Sequence, residues 1–393
     1  MNLKNKKKSI ILLGATGSIG KSVMDIIDKY PNLFQLVAVS ANSNVKLLLE
    51  IIKKHKPDKA CFSGIGYNDD IVSSSPDCQI LFGKQKLINI VKTKADLIIV
   101  GISGFAGIFP IFEALKIGTN IAIANKEPLV AAGNLFKHAL NKSKSNVLPI
   151  DSEHNAIFQL LEKNNIANIS SITLTASGGP FLNDDIATFR NKLPSDALKN
   201  PNWEMGKKVS IDSATMMNKG LEIIEASVLF SLNPKKINVL VHPQSIVHGM
   251  INLVDGSIIS YLSDPDMRVP IFNVLTWPNT IKSFKKTPEI SNLNFMKVNN
   301  KKFPSINIAR EAINKGFIAC NYFNASNEVA VSAFLEDKIS FINIFDIVRL
   351  VTDIACKGDP KDLNEVIEYD NLAREFANKL VSKNFKKRKN NAF

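Results

Sequence analysis

The first 150 residues alternate short apolar runs with amphipathic stretches, and few architectures accept that pattern. Apolar runs at 9–13, 34–40, 59–62, 78–82, 96–101, 120–124 and 146–150 read as strands. They are nearly continuous in hydrophobicity, as strands buried on both faces are. The stretches between them have helical character, residues 21–29 being one. Strands separated by helices predict a parallel sheet covered on both sides, hence an α/β fold whose first 150 residues form a Rossmann-like domain.

The first strand runs into Gly14-Ala15-Thr16-Gly17-Ser18-Ile19-Gly20. Glycines between a strand and a helix permit a tight turn and close approach of a pyrophosphate to the helix N-terminus. The spacing is G-x-x-G-x-x-G, and its strand-and-helix setting points to a dinucleotide. The second strand ends in Asn42, Ser43 and Asn44, with no Asp or Glu to grip a ribose 2′-hydroxyl. Neutral donors there lean toward the 2′-phosphate of NADPH; an ordinary Asn/Ser turn is the other reading.

Ligands in open α/β sheets bind beyond the carboxyl ends of strands. Asn125-Lys126-Glu127 follows such an end, which puts Lys126 within reach of a substrate and Asn125 and Glu127 within reach of the cofactor. A helix start with an acidic first turn explains the same residues. Asp151-Ser152-Glu153-His154 follows the next strand. Carboxylates at Asp151 and Glu153 are oxygen ligands suited to Mg²⁺ or Mn²⁺, while Asp151 or Ser152 serves equally as a helix cap. A strand over 172–175 leads into Ser177-Gly178-Gly179, where glycines let backbone approach an anion.

Residues 182–208 form a long, polar, proline-punctuated connection containing Trp203 and Met205. Connections of that length often act as lids, and Trp203 would cover a bound substrate. The following stretch reads as a helix capped by Asp212 or Ser213. Met217, Leu221, Ile224 and Val228 make an apolar stripe; Thr215, Asn218, Glu222 and Glu225 lie on another side, with Lys219 at its edge. Lys219 and Glu222 alone, three apart on a helix, would be a solvated ion pair. With Ser213 and Asn218 they suit a phosphate lying beside a divalent ion, and Glu222 joins Asp151 and Glu153 as a third carboxylate.

Strands over 237–241, 245–253 and 258–262 would build a mixed or antiparallel sheet whose apolar face invites a homodimer. His242 and His248 lack a third nitrogen or sulfur ligand nearby, which argues against zinc, and read as structural or close to the site. We expect the NADPH-binding domain over 1–150, a catalytic and dimerisation domain over 151–280, a lysine-rich linker over 281–303, and a helical domain over 304–393. In that last domain Ser305 caps a helix ending at Gly316, and helices follow over 324–336, 342–356 and 363–382. Four dispersed cysteines fit a cytoplasmic protein without disulfides. No apolar run approaches the length of a membrane span. The net charge of +13 comes from scattered lysines and basic ends without interleaved aromatics, which argues against nucleic acid.

Taken together, the glycine run, Ala124-Asn125-Lys126-Glu127, Asp151-Ser152-Glu153-His154-Asn155-Ala156-Ile157-Phe158, Pro201-Asn202-Trp203, Ser213-Ala214-Thr215-Met216-Met217-Asn218-Lys219-Gly220-Leu221-Glu222, Val241-His242-Pro243-Gln244-Ser245 and Asp264-Pro265-Asp266-Met267-Arg268 resemble the 1-deoxy-D-xylulose 5-phosphate reductoisomerases, over nearly the whole chain. The resemblance implies NADPH- and metal-dependent rearrangement and reduction of 1-deoxy-D-xylulose 5-phosphate to 2-C-methyl-D-erythritol 4-phosphate. It implies Mg²⁺ or Mn²⁺ on Asp151, Glu153 and Glu222. It puts the substrate phosphate on Ser177, Ser213, Asn218 and Lys219, and the carbonyl region on Lys126 and Ser152. Gly14, Thr16, Gly17, Ser18, Ile19, Asn42, Ser43, Asn44, Asn125, Glu127 and Gly206 would meet NADPH. Family members usually carry histidine before Pro-Asn-Trp; Asn200 stands here, an amide that donates a hydrogen bond but carries no charge. A dehydrogenase of the homoserine or semialdehyde type is the rival reading, and it requires no three-carboxylate site.

Overall fold

A computed structural model describes residues 6–199 and 206–390, with side chains through residue 383. Asn200, Trp203 and Met205 fall outside that set. The chain divides into two compact units. The first comprises Met1–Pro128, His138–Asn155 and Asp266–Lys286; the second comprises Leu129–Lys137, Ala156–Pro265 and Thr287–Phe393.

The opening run alternates strand and helix as the hydrophobic pattern demands: β1 (Lys8–Leu13), α1 (Ser18–Lys29), β2 (Phe34–Ala41), α2 (Val45–His55), β3 (Lys59–Phe62), α3 (Asp69–Ser73), β4 (Gln79–Phe82), α4 (Leu87–Val91), β5 (Leu97–Val100), α5 (Ile108–Ile117), β6 (Asn120–Ile123), α6 (Glu127–Lys142) and β7 (Val147–Pro149). The seven strands form one sheet in the order β4-β3-β2-β1-β5-β6-β7, every pairing parallel. Ile10, Ile11, Leu12 and Leu13 are wholly buried at its centre, as are Leu97, Ile98, Ile99 and Val100. Strand order reverses between β1 and β5, which opens a crevice at their carboxyl ends.

The chain then makes α7 (Ser152–Lys163), β8 (Ile169–Ala176), α8 (Pro194–Ala197), α9 (Lys207–Ala214), α10 (Met217–Leu229), β9 (Ile237–Val241), β10 (Val247–Leu253), β11 (Ile258–Leu262), α11 (Arg268–Thr276) and β12 (Met296–Lys297). The second sheet runs β11-β10-β8-β9-β12; only β8 and β9 are parallel. Helices α12 (Ser305–Lys315), α13 (Phe317–Leu335), α14 (Phe341–Asp353) and α15 (Leu363–Asn390) follow. Among the described residues no helix is long and apolar enough to cross a membrane.

The Asp266-Met267-Arg268 motif explains how 266–286 joins the first unit. Arg268 bonds Asp266 and also Asp25 of α1, at 3.1 Å, while its guanidinium lies 5.5 Å from the Phe284 ring centre. Burial alone would raise the Asp266 carboxyl, but hydrogen bonds from Arg268 and Lys285 outweigh it and hold the group well below the usual range. From the other side, Lys8 of β1 donates to the Leu275 and Trp277 carbonyls at 3.0 and 2.9 Å.

Residues 281–303, expected to form a linker, supply β12, which pairs with β9. They also supply Phe295, stacked on the His242 ring, and the buried Phe303. The described part of the expected lid is likewise folded. Phe189 is buried and meets Phe181, Phe303 and Phe341 at centroid separations of 5.3–6.0 Å. Lys302 donates to the Leu182 carbonyl at 2.7 Å and to that of Asp184.

Candidate active site

Two of the three glycines after β1 are required by the chain itself. Gly14 has φ +86°, and a Cβ there would lie 2.5 Å from the Gly101 carbonyl oxygen. A Cβ on Gly20 would come within 2.4 Å of the Gly14 oxygen. Gly17 is different: its φ is −77°, and an added Cβ would meet nothing nearer than 3.5 Å. It is the N-cap of α1, makes no side-chain cap bond, and is exposed with Ser18. A small residue without internal need, at an uncapped helix N-terminus, leaves room for an anion to touch backbone. Thr16 and Ile19 are half-buried on either side.

Asn42, Ser43 and Asn44 are exposed beyond β2. Asn44 caps α2, accepting from the Leu47 N–H at 3.2 Å, so the turn reading applies to it. Asn42 lies over Gly64, where a Cβ would stand 2.2 Å from its Oδ1.

Lys126 is at the N-cap position of α6, and Glu127 opens the helix ahead of Pro128. Both are buried, and the Lys126 ammonium lies 2.5 Å from Asp151 Oδ2. Adjacent parallel strands β6 and β7 bring these two loops together. Ser152 begins α7 and donates to Glu153 Oε2 at 2.5 Å. His154, wholly buried, has Nδ1 3.9 Å from Asp151 Oδ1. Asn155 braces the turn by donating to the Pro149 carbonyl at 3.0 Å.

In the second unit Gly178 and Gly179 have φ of +88° and +69°. Gly179 packs so tightly on α9 that a Cβ would lie 2.7 Å from the Ser213 oxygen. The Ser177 turn and Ser213 are thereby neighbours, and Ser177 Oγ accepts from the Gly179 N–H at 3.3 Å. Gly206 is the N-cap of α9.

The single helix expected through Ser213 is two. α9 ends at Ala214, Met216 takes a left-handed φ of +59°, and α10 begins at Met217. Neither Asp212 nor Ser213 is the cap. Thr215 explains the break: its hydroxyl turns back to the Ile211 carbonyl at 2.9 Å and accepts from the Met217 N–H at 3.3 Å. Ser305 holds the Thr215 carbonyl at 2.7 Å, so this serine is the first residue of α12 and not its cap. α10 is buried on every side, not on one stripe: Lys219 is 2 % exposed, Glu222 0 % and Glu225 1 %. Asn218 donates to Glu222 Oε1 at 2.5 Å and Lys219 pairs with Oε2.

The first unit supplies the carboxylates Asp151 and Glu153, and the second supplies the wholly buried Glu222. Carboxylate oxygens are the donors that a hard divalent ion such as Mg²⁺ or Mn²⁺ takes, so these residue types fit it. Each carboxylate has a donor that orients it: Lys126 on Asp151, Ser152 on Glu153, and Asn218 with Lys219 on Glu222. Sequence reasoning gave no role to two further buried titratable residues, His154 in the first unit and Glu225 in the second. Their signal was present, His154 three residues past Asp151 and Glu225 one turn past Glu222.

Comparison with known proteins places these features in one family. Residues 10–133 match the model for 1-deoxy-D-xylulose 5-phosphate reductoisomerase, 147–230 that for its C-terminal domain, and 262–376 a further DXP reductoisomerase C-terminal domain model. The 1-deoxy-D-xylulose 5-phosphate reductoisomerase of Ruthia magnifica is 41% identical over 95% of this chain and 99% of its own length. That of Clostridium novyi is 42% identical over 94% and 98%. The Zymomonas mobilis enzyme in complex with NADPH superposes with a TM-score of 0.89 at 37% identity, covering 96% of this chain and 99% of that one. A DOX-P reductoisomerase in complex with NADPH, fosmidomycin and magnesium gives 0.91 at 38%, over 95% and 98%. These matches set aside the homoserine-type reading, and the chain belongs to the 1-deoxy-D-xylulose 5-phosphate reductoisomerase family.

Proposed function

We propose that this chain converts 1-deoxy-D-xylulose 5-phosphate into 2-C-methyl-D-erythritol 4-phosphate with NADPH and Mg²⁺ or Mn²⁺, as a cytoplasmic homodimer. The observation that carries the reading is the match to this family over 95% of the chain, which keeps the carboxylates Asp151, Glu153 and Glu222, each with its own orienting donor. The bound ion supplies Lewis-acid polarisation of a carbonyl, and NADPH supplies hydride.

The remaining roles belong to the chain. Gly14, Thr16, Gly17, Ser18 and Ile19 receive the pyrophosphate at the start of α1. Asn42, Ser43 and Asn44 meet the 2′-phosphate end, and Asn125, Glu127 and Gly206 the nicotinamide end. Lys126 and Ser152 orient the substrate's carbonyl and hydroxyl oxygens; Lys126, paired with Asp151, can donate a proton to an oxygen that gains charge. Ser177, Ser213, Asn218 and Lys219 bind the phosphate, and this remote contact orients the reacting carbons. Asn200, Trp203 and Met205 cover the substrate and exclude water. The edge strand β11, with Ile258 59% exposed, and Val254 beside it, 67% exposed, support a second copy pairing on that face.

The test follows NADPH oxidation with 1-deoxy-D-xylulose 5-phosphate. Turnover should require added Mg²⁺ or Mn²⁺ and stop on chelation. Undiminished oxidation in EDTA would remove the three-carboxylate reading.

A further inference from the structure

The phosphate-binding reading gives work to Ser213, but says nothing of what holds Ser213 in place. Its neighbour Asp212 is 1 % exposed, and both its oxygens are used. Lys208, one turn earlier on α9, lies 2.8 Å from Oδ2. Asn327 of α13, 0 % exposed, donates its amide to Oδ1 at 2.8 Å. The bond spans 115 residues of sequence. It fixes the turn of α9 that presses Ser213 against Gly179, just before the left-handed Met216 that starts α10.

We infer that Asn327 is a positioning residue for the substrate phosphate, acting through Asp212 on Ser213. The inference rests on Ser213 belonging to the phosphate site. A buried carboxyl group needs donors for its oxygens, and Asn327 supplies the one on Oδ1. Without it, Asp212 must turn to another donor, and α9 can rotate by a fraction of its last turn. A displacement of that size matters for a hydroxyl meeting a phosphate oxygen, because hydrogen bonds lose strength steeply with misalignment. Lys208 bonds Asp212 from within α9, whereas Asn327 reaches it from α13.

Asn324, one turn earlier on α13, is the internal control. It is equally buried, and its amide makes no hydrogen bond among the described residues.

The experiment measures kcat and KM for 1-deoxy-D-xylulose 5-phosphate, the NADPH dissociation constant and the melting temperature in the full-length protein. Asn327→Ala should raise KM about 10-fold, the equivalent of one hydrogen bond, with a smaller change in kcat. NADPH affinity should not move. Asn324→Ala should keep the parental KM. Ser213→Ala should raise KM by itself, and Asn327→Ala in that background should add little, because both act on one contact. If Ser213→Ala raises KM while Asn327→Ala does not, or if the two effects multiply fully, the positioning role is wrong and the phosphate reading stands. If Ser213→Ala leaves KM unchanged, the phosphate reading itself fails. Should Asn327→Ala not fold, Asn327→Ser retains a shorter donor and must fall between parent and Ala in KM.

Discussion

Glu222 has both oxygens occupied by donors from its own helix, Asn218 four residues back and Lys219 three back, and it is wholly buried. Glu222→Gln preserves shape and removes the charge an ion needs. Losing several kcal/mol of charge stabilisation corresponds to at least about a 100-fold fall in kcat. The NADPH dissociation constant should stay within twofold, and a variant of normal turnover at saturating Mg²⁺ would discredit the site. The cysteines make a second residue-scale case. Burial pushes the Cys61 thiol up to about 12 and Cys78 to about 11, and Cys320 higher still, whereas Cys356 is exposed. A disulfide reagent at pH 8 should therefore modify one thiol rapidly and the rest only on unfolding. The sign of the linkage follows. Above an unfolded-chain value of 9.0 the denatured thiols release protons that the native ones retain, so stability falls as pH rises through this window. Cys61→Ala should flatten the alkaline limb of a urea-midpoint profile; an unchanged slope would show that other groups dominate it.

At the scale of elements, what the sequence revealed depended on whether the cause was local. The seven strands of the first sheet were legible because each is a continuous apolar run bounded by turns, whereas their pairing order and register came only with the structure. The α9–α10 break was not legible: Thr215 and Met216 have no glycine or proline to mark it, and the bond from Ser305 to the Thr215 carbonyl spans 90 residues. The start of α13 was missed for a similar reason. Phe317, Ile318, Ala319 and Cys320 are buried together, so no polar face betrays a helical period, and the cap is distant, with Asp359 accepting from the Phe317 N–H at 2.9 Å. The carboxylates of the site were legible as donor types, and helical spacing gave Lys219 as the partner of Glu222, but the Lys126–Asp151 pair was not legible, since the two meet only because β6 and β7 are neighbours. The turn before α1 separates the two uses of glycine. Gly20→Ala forces a Cβ against backbone and should cost about 1–3 kcal/mol of stability. Gly17→Ala meets only an ordinary 3.5 Å contact, so its melting temperature should match the parent while NADPH binding weakens about tenfold. Equal loss of stability in both would mean that Gly17 also serves packing.

For the whole molecule, the division into two compact units bears on how it unfolds. Each has its own sheet and its own buried core, so each can lose structure with its own midpoint. NADPH, in the proposed reading, is held by the glycine turn and Asn42–Asn44 segment of the first unit. A ligand that binds only the native form stabilises it by about 2.7 kcal/mol at 100 times its dissociation constant, a shift of a few degrees for a domain of this size. The chain carries a convenient reporter, because one of its two tryptophans, Trp277, ends α11 in the first unit, where its carbonyl accepts from Lys8. In a Trp203→Phe protein, Trp277 fluorescence reads that unit alone. Saturating NADPH should raise the Trp277 midpoint by several degrees while helix melting, weighted toward α12–α15 by far-ultraviolet circular dichroism, shifts less. Coincident curves with and without NADPH would instead mean that the chain melts as one cooperative body, in which case ligand energy delivered at the first sheet is shared by the buried helices that carry Glu222 and Asn327.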